Sequence, residues 1–454
     1  MMPSLSFVEL AHQYGGVLWQ LEGQPVIDSV SIDSRTLCPG DCFVAIRGDQ
    51  FDAHNFIDEV VERGAKSLVV EEPLQKPVPQ WVVEDSVQAL GQIARENRRL
   101  FNCPLVAVTG SNGKTTVKEM LASILGNFGD VLATQGNLNN HIGVPLTLLR
   151  LAPKYQYAVI EMGASALGEI EYLCSIAEPD VALVNNVGEA HLEKFGSAKN
   201  ILRAKGEIYA GLKPGGTAVV NLDSVGATAY IGGLTDCEYV GFSLESREAD
   251  IYTTDIHLQE FSSRFSLHLG DQSAPVQLNV PARHNIANAL AAAASAYVLG
   301  IEIAQIVAGL EAFGGVKGRL EQIDGLNGAR LIDDSYNASP TSALAAIEVL
   351  ASCQGRTILV LGDMGELGND AARFHQEIGS YAGVSGIDSL VATGELSRSA
   401  VEAFGEAGTW FESQSELVEH LKAELTADVT ALVKASRASA MDQVVDQLRK
   451  TVES

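Results

Sequence analysis

The chain has 454 residues, a length that predicts three domains at about 150 residues each. Hydrophobic residues make up 46% and charged residues 19%, which excludes wholesale disorder and a disulfide-stapled miniprotein. With 31 basic and 57 acidic side chains the net charge is −26. That balance excludes a broad electrostatic footprint for nucleic acid, so an anion must be held by a few aimed cations, backbone N–H groups or a metal.

Residues 1–100 alternate short apolar runs (Cys42–Ile46, Ser67–Val70, Trp81–Val83) with helical stretches, and turns at Pro39-Gly40 and Arg63-Gly64 separate them. This pattern predicts a small α/β domain. Pro73, Pro77 and Pro79 exclude a helix interior from residues 71–80 and predict an extended loop there. From 101 to 315 the order is strand, glycine-rich turn, helix, strand. Buried strands are predicted at Leu105–Thr109, Tyr157–Ile160, Val181–Val184 and Ala218–Val220, and a helix from Thr115 to Leu125. Such alternation predicts a central, mostly parallel sheet with crossover helices. Residues 237–280 read as β-rich, and His284–Leu299 as one alanine-rich helix. From 316 to 454 the alternation restarts, with strands at Thr357–Leu361, Ser389–Ala392 and Ala431–Val433, which predicts a Rossmann-like α/β domain. Gly314-Gly315-Val316-Lys317-Gly318 is a candidate hinge, or an ordinary helix cap and loop. The fold class is thus α/β in three domains.

The six cysteines are scattered and form no C-x-x-C, which predicts free thiols in a reducing compartment rather than a zinc site. The first basic residue is Arg35, so a charged leader is not expected, and no apolar run approaches the ~18 residues needed to span a bilayer. A cytoplasmic protein without membrane insertion is expected.

Val106-Ala-Val-Thr-Gly-Ser-Asn-Gly-Lys-Thr-Thr116 carries the most information. A buried strand ends at Gly110, a tight turn follows, and a helix opens. Backbone N–H groups of Thr109, Gly110, Ser111, Asn112, Gly113 and Thr116 can cradle phosphates, Lys114 can reach the β- and γ-phosphates, and the Thr115 hydroxyl can ligate Mg²⁺. The usual phosphate-loop pattern has glycine where Val108 stands, so this loop is the variant G-x-x-G-K-T. A helix cap with a chance lysine is the plainer alternative, but strand, loop and helix fall in the order that phosphate binding demands. ATP fits better than GTP, since no N-K-x-D base-reading motif is present.

This loop, with three later motifs, resembles the Mur ligase family of ATP-dependent amide-forming enzymes in peptidoglycan precursor synthesis, relatives of the folylpolyglutamate synthases. Asp33-Ser34-Arg35, 39–45 and Phe51-Asp52-Ala53-His54 are similar to that family's uridine-nucleotide domain. Gly136–Pro145, Asp333–Ala338 and Leu361–Gly368 resemble the member that adds D-alanyl-D-alanine to UDP-N-acetylmuramoyl-tripeptide. The Asp-Asn-Pro-Arg of the diaminopimelate-adding sibling is absent. The resemblance implies a monomer in which residues 1–100 hold the UDP-precursor, 101–315 hold ATP and Mg²⁺, and 316–454 hold the dipeptide. Another Mur step, a folylpolyglutamate synthase and a phosphate-loop ATPase without ligase activity are the alternatives.

Residue by residue, the resemblance makes Glu161, at the end of its strand, a Mg²⁺ ligand; from the residues alone a solvated strand-end acid fits as well. It makes His191 a ligand of a second metal, although Mg²⁺ favours oxygen. Lys205 reads as a solvated helix lysine, whereas the resemblance implies a lysine carbamylated by CO₂, which requires a depressed pKa. Asn285 and Asn288 lie three apart and can face one ligand, the adenine by resemblance, while helix capping by Asn285 is the alternative. Arg319 is implied to reach the phosphates on domain closure and Asp334 to grip the ribose. Ser34, Arg35, Asn137 and Asn139 are implied for the UDP-precursor, and Asn337, Pro340, Asp363, Lys434, Ser436 and Arg437 for the dipeptide. Ala435 stands where the near relative has glycine, and its methyl is tolerated only if φ is negative.

Overall fold

The computed structural model describes residues 2–20, 25–48, 51–188, 192–235 and 237–450. Three larger sheets organise them. In the first, Val30–Ser31, Cys42–Val44, Ser67–Val70 and Gln80–Val82 run parallel, and Val17–Trp19 joins the Gln80–Val82 edge antiparallel. The helix Ser86–Arg99 follows, capped by Asp85, whose carboxylate accepts from the N–H groups of Val87 and Gln88. Leu90 and Ile93 of this helix enter the core of the first unit, and Ala94 enters the core of the next.

The second sheet has nine strands, in the order Gln272–Leu278, Ser263–Leu269, Ile251–Leu258, Glu238–Ser243, Thr217–Asn221, Val181–Val184, Leu105–Thr109, Tyr155–Glu161, Asp130–Ala133. From Ile251–Leu258 onward all neighbours are parallel, and the first two pairs are antiparallel. Leu105–Thr109 lies inside the sheet with both faces covered, which is why its sequence is continuously apolar instead of alternating. Val106 and Val108 face the helices Lys114–Leu125 and Arg283–Val298, while Leu105 and Ala107 face Glu169–Ala177 and Ala198–Ala210.

The third sheet runs Glu321–Asp324, Arg330–Asp334, Val429–Lys434, Arg356–Leu361, Ser389–Thr393, Gly408–Phe411 and is parallel except for its first pair. Asp334 and Lys434 stand side by side at the carboxyl ends of adjacent strands, where open α/β sheets bind ligands. Periodicity alone does not mark Arg330–Asp334, because its two terminal acids mask a strand whose Leu331, Ile332 and Asp333 are all buried. Ala435 is buried and does not adopt a positive φ, so its methyl carries no backbone strain. The alanine-rich helix begins at Arg283 after Ala282, with no side-chain cap; Asn285 lies inside the first turn and donates to the Pro281 carbonyl.

Candidate active site

The phosphate loop sits where the central strand Leu105–Thr109 gives way to the helix Lys114–Leu125. Gly113 precedes that helix at φ +79, and no side chain caps the first turn, so its N–H groups face outward for an anion. A Cβ at Gly113 would overlap Asn185 Nδ2 and Asn288 Oδ1, so only glycine fits. Thr109 Oγ1 donates to Met162 O at 2.7 Å, and the Ser111 N–H to Asn186 O at 2.9 Å. Thr116 is buried beneath the loop.

Asparagines fix the loop. Asn112 N–H donates to Asn186 Oδ1 at 2.8 Å, and its carbonyl accepts from Asn185 Nδ2 and Asn186 Nδ2 at 2.9 and 3.0 Å. Asn185 also donates to Asn288 Oδ1 at 2.8 Å, and Asn288 to Asn285 Oδ1 at 3.2 Å. Asn285 and Asn288 thus brace the loop and each other while lining the adjoining cavity. Sequence reading passed over Asn185-Asn186; their signal was a polar pair directly after the apolar strand Val181–Val184.

Lys114 Nζ donates to the carbonyls of Gly110 and Ser111, at 2.8 and 3.3 Å. Burial lowers its pKa, and the neighbouring Glu161 offsets part of that. The Thr115 hydroxyl donates to Glu161 Oε2 at 2.9 Å and accepts from Arg319 Nη2 at 3.1 Å. Glu161 is 2% exposed, and its other oxygen accepts from Asn139 Nδ2 at 2.8 Å. Asn139 therefore lies at the Glu161 carboxylate. Lys205 is buried; desolvation, reinforced by the charge of Lys114, pulls its pKa down to about 7. His191 lies outside the described residues. Among those described, no three His, Cys, Asp or Glu side chains gather as a metal site.

Beyond the loop opens a cavity of about 680 Å³, walled on one side by the loop and the asparagines and on the other by Arg319, Asp334 and Ser339. Asp334 Oδ2 accepts from Lys434 Nζ at 2.6 Å, and Lys434 also donates to Asn337 O at 3.0 Å. Two of the three Lys434 donors are thus taken within the wall it helps to line. Arg319 and Arg437 both lie over the Tyr336 ring, 4.5 and 5.9 Å from its centroid. Asn337, Ser436 and Arg437 line the cavity. Pro340 is the buried first residue of the helix Pro340–Ala351. Asp363 is turned to Ser397, accepting from its N–H and hydroxyl at 2.8 and 2.6 Å. Arg35 lies on the first unit's surface, paired with Asp33 at 2.7 Å; Ser34 is half-buried beside it, and Asn137 is exposed.

A phosphate loop, a buried carboxylate facing its threonine, and an arginine delivered from the next sheet define a nucleotide-dependent enzyme that works between domains. Three family models match the chain: the Mur ligase family catalytic domain over residues 26–99, the Mur ligase middle domain over 108–296 and the Mur ligase glutamate ligase domain over 318–437. The UDP-N-acetylmuramoyl-tripeptide–D-alanyl-D-alanine ligase of Escherichia coli K12 is 42% identical over 95% of this chain and 96% of its own. The enzyme of that name from Haemophilus influenzae is 38% identical over 99% and 100%. Among solved structures, MurF from Acinetobacter baumannii superposes with a TM-score of 0.93 at 36% identity, covering 98% of this chain and 99% of its own. The MurF ligase of Thermotoga maritima in complex with ADP gives 0.84 at 31% identity, covering 92% and 96%. The chain belongs to the Mur ligase family and is an ATP-dependent ligase of peptidoglycan synthesis.

Proposed function

We propose that the chain joins D-alanyl-D-alanine to the terminal carboxylate of UDP-N-acetylmuramoyl-tripeptide, with cleavage of ATP to ADP and phosphate. Relatives of that name match along nearly the whole chain. The observation that carries the chemistry is Thr115, held between Glu161 and Arg319 at the mouth of the phosphate loop. The precursor carboxylate attacks the γ-phosphorus of ATP, the bond to the bridging oxygen breaks, and ADP leaves. The dipeptide amine then attacks the acyl carbon of the acyl phosphate, gives up a proton, and phosphate departs.

Phosphoryl transfer needs positioning and charge neutralisation more than covalent help from the protein. The Ser111 and Asn112 N–H groups are taken by Asn186, so the uncapped N–H groups at the opening of the helix, from Gly113 to Thr116, are the ones to hold the phosphates, with Lys114 leaving the loop carbonyls for the β- and γ-oxygens. Arg319 neutralises charge from the opposite wall, and Asp334 lies where a ribose hydroxyl can be accepted. The Thr115 hydroxyl and Glu161 are hard oxygen donors at one spot, the set that suits Mg²⁺ when phosphates and water complete the shell. That ion would supply charge neutralisation between phosphates and carboxylate. Lys205, with its pKa near 7, is the residue that could add CO₂ and become a further oxygen donor. Asn337, Ser436 and Arg437 face the acceptor side of the cavity, and residues 1–100 take the uridine end, with Ser34, Arg35 and Asn137 as contacts. Domain bounds of 1–100, 101–315 and 316–454, a monomeric state and a cytoplasmic location complete the proposal; no described helix is long and apolar enough to cross a membrane.

Incubating the protein with UDP-tripeptide, ATP, Mg²⁺ and a panel of amines, with products read by mass, tests it. The expected product carries D-alanyl-D-alanine. Phosphate release indifferent to precursor and dipeptide would instead mark a plain ATPase.

A further inference from the structure

Lys118 is a lysine with no assigned task, on the same helix as Lys114 and Thr115, and it is 1% exposed. Its Nζ donates to the carbonyl of Thr134 at 2.6 Å and pairs with Glu119 at the same distance. Thr134 directly follows the strand Asp130–Ala133, which pairs in parallel with Tyr155–Glu161 in the register Val159 to Ala133. A parallel ladder in that register gives two bonds around Thr134: its N–H to the Val159 carbonyl, and its carbonyl from the Glu161 N–H. The first is present, at 3.1 Å. The second is rewired. The Glu161 N–H donates to the Thr134 hydroxyl instead, at 2.9 Å, and the carbonyl thus released is taken by Lys118. On its other side Glu161 keeps its place against Val108.

We infer that Lys118 is a positioning residue for Glu161: by occupying the Thr134 carbonyl it keeps the Glu161 backbone off that rung and sets the carboxylate against Thr115. A buried carbonyl left without a donor is costly. Without the ammonium, the Glu161 N–H is the donor that the ladder register aims at this carbonyl, and taking that bond shifts Glu161 from the hydroxyl to the backbone. The carboxylate then no longer meets the Thr115 hydroxyl and the Asn139 amide together. Lys118 thereby ties the phosphate-loop helix to the strand end that presents the acid, so that Thr115 and Glu161 move as one piece. A buried lysine serving only packing would be replaced by methionine at small cost, since the stem is apolar and of similar length.

This inference rests on Thr115 and Glu161 holding a divalent ion with the nucleotide, and the test separates the two. Mn²⁺ binding to the full chain is measured by electron paramagnetic resonance with a non-hydrolysable ATP analogue, and metal-free ADP affinity is measured alongside. Lys118→Met and Thr134→Val should each weaken Mn²⁺ binding about tenfold, the size seen when a ligand loses its outer-shell support. Metal-free ADP affinity should stay unchanged. Because both act on one rung, the double variant should lose no more than either single one. A folded Lys118→Met or Thr134→Val protein with wild-type Mn²⁺ affinity, or losses that multiply, overturns the inference; if Lys118→Met does not fold, Thr134→Val decides alone. Glu161→Gln is the control. If it too keeps wild-type affinity, the metal reading falls and takes the inference with it. If only Glu161→Gln loses affinity, the inference alone falls.

Discussion

The two seams of this molecule are built differently. Between the first and second sheets, the helix Ser86–Arg99 belongs to both cores. Arg98, 2% exposed, donates to the carbonyls of Ala177, Phe101 and Glu178 and pairs with Asp180 at 3.1 Å. Asn97 donates to the Leu148 carbonyl, and Arg95 and Arg99 both reach Glu178. Between the second and third sheets, side chains meet side chains: Arg319 with Thr115 and Ser339 with Asn112 at 3.2 Å at the cavity, Lys194 with Glu366 at its rim, and Arg330 with Glu260 away from it. Backbone acceptors weld the first seam, because the Ala177, Glu178 and Leu148 carbonyls would each lose its donor if it opened. The second offers mainly side-chain groups that water can satisfy, beside the packing of Phe261 and Ala282 on the third unit's core, so parting it would cost less than parting the first. Lys114, Glu161 and Lys205 all lie on the welded side, and Arg319 reaches Thr115 from the other side of the second seam. If the units close on substrate, as the proposed function requires, Arg319 is the group that would couple closure to chemistry.

Four substitutions sharpen or break this contrast. Lys205→Ala, on the fixed side, should lower turnover about a thousandfold while leaving the seams intact, as loss of a preorganised charge in a site does. Added short carboxylates should restore part of it. Because carbamylation needs the neutral amine and burial brings the Lys205 pKa to about 7, wild-type activity should fall as pH drops below 7 and regain ground with bicarbonate. Full activity of Lys205→Ala without rescue would remove the residue from the site. Arg98→Met should cost about 3 kcal/mol in denaturant unfolding, since it leaves the Ala177, Phe101 and Glu178 carbonyls short of a donor, while Asp180 keeps the Leu105 N–H and Lys213. Arg319→Ala should lower turnover by about a hundredfold with less than about 1 kcal/mol lost in stability. Equal stability losses at Arg98 and Arg319 would erase the distinction between the seams. Arg330→Ala, at a partly exposed pair, should cost under about 1 kcal/mol and leave turnover nearly unchanged.

Most of the fold was legible because its central strands are buried on both faces and read as unbroken apolar runs. Leu105–Thr109 and Val181–Val184 fall on the expected residues. The phosphate loop was legible for a local reason: strand, glycine turn and lysine-led helix are contiguous in sequence. What escaped is the work of residues far apart in the chain. Lys434 reads as a free cation until Arg330–Asp334 places Asp334 beside it. Asn139 reads as part of a loop motif until its amide meets Glu161. The Lys118–Thr134–Glu161 rung is invisible to periodicity, since a lysine within a helix looks solvated until the neighbouring strand end is in place. The bond from Arg319 to Thr115 likewise joins two sheets whose mutual placement no single segment encodes.

The central claim is that the loop before Lys114 passes a phosphoryl group to the precursor's carboxylate. UDP-tripeptide labelled with ¹⁸O in its terminal carboxylate tests this directly, with the released phosphate read by mass. One ¹⁸O atom should appear in each phosphate, carried over when the acyl phosphate breaks. Amide product accompanied by unlabelled phosphate would contradict the account.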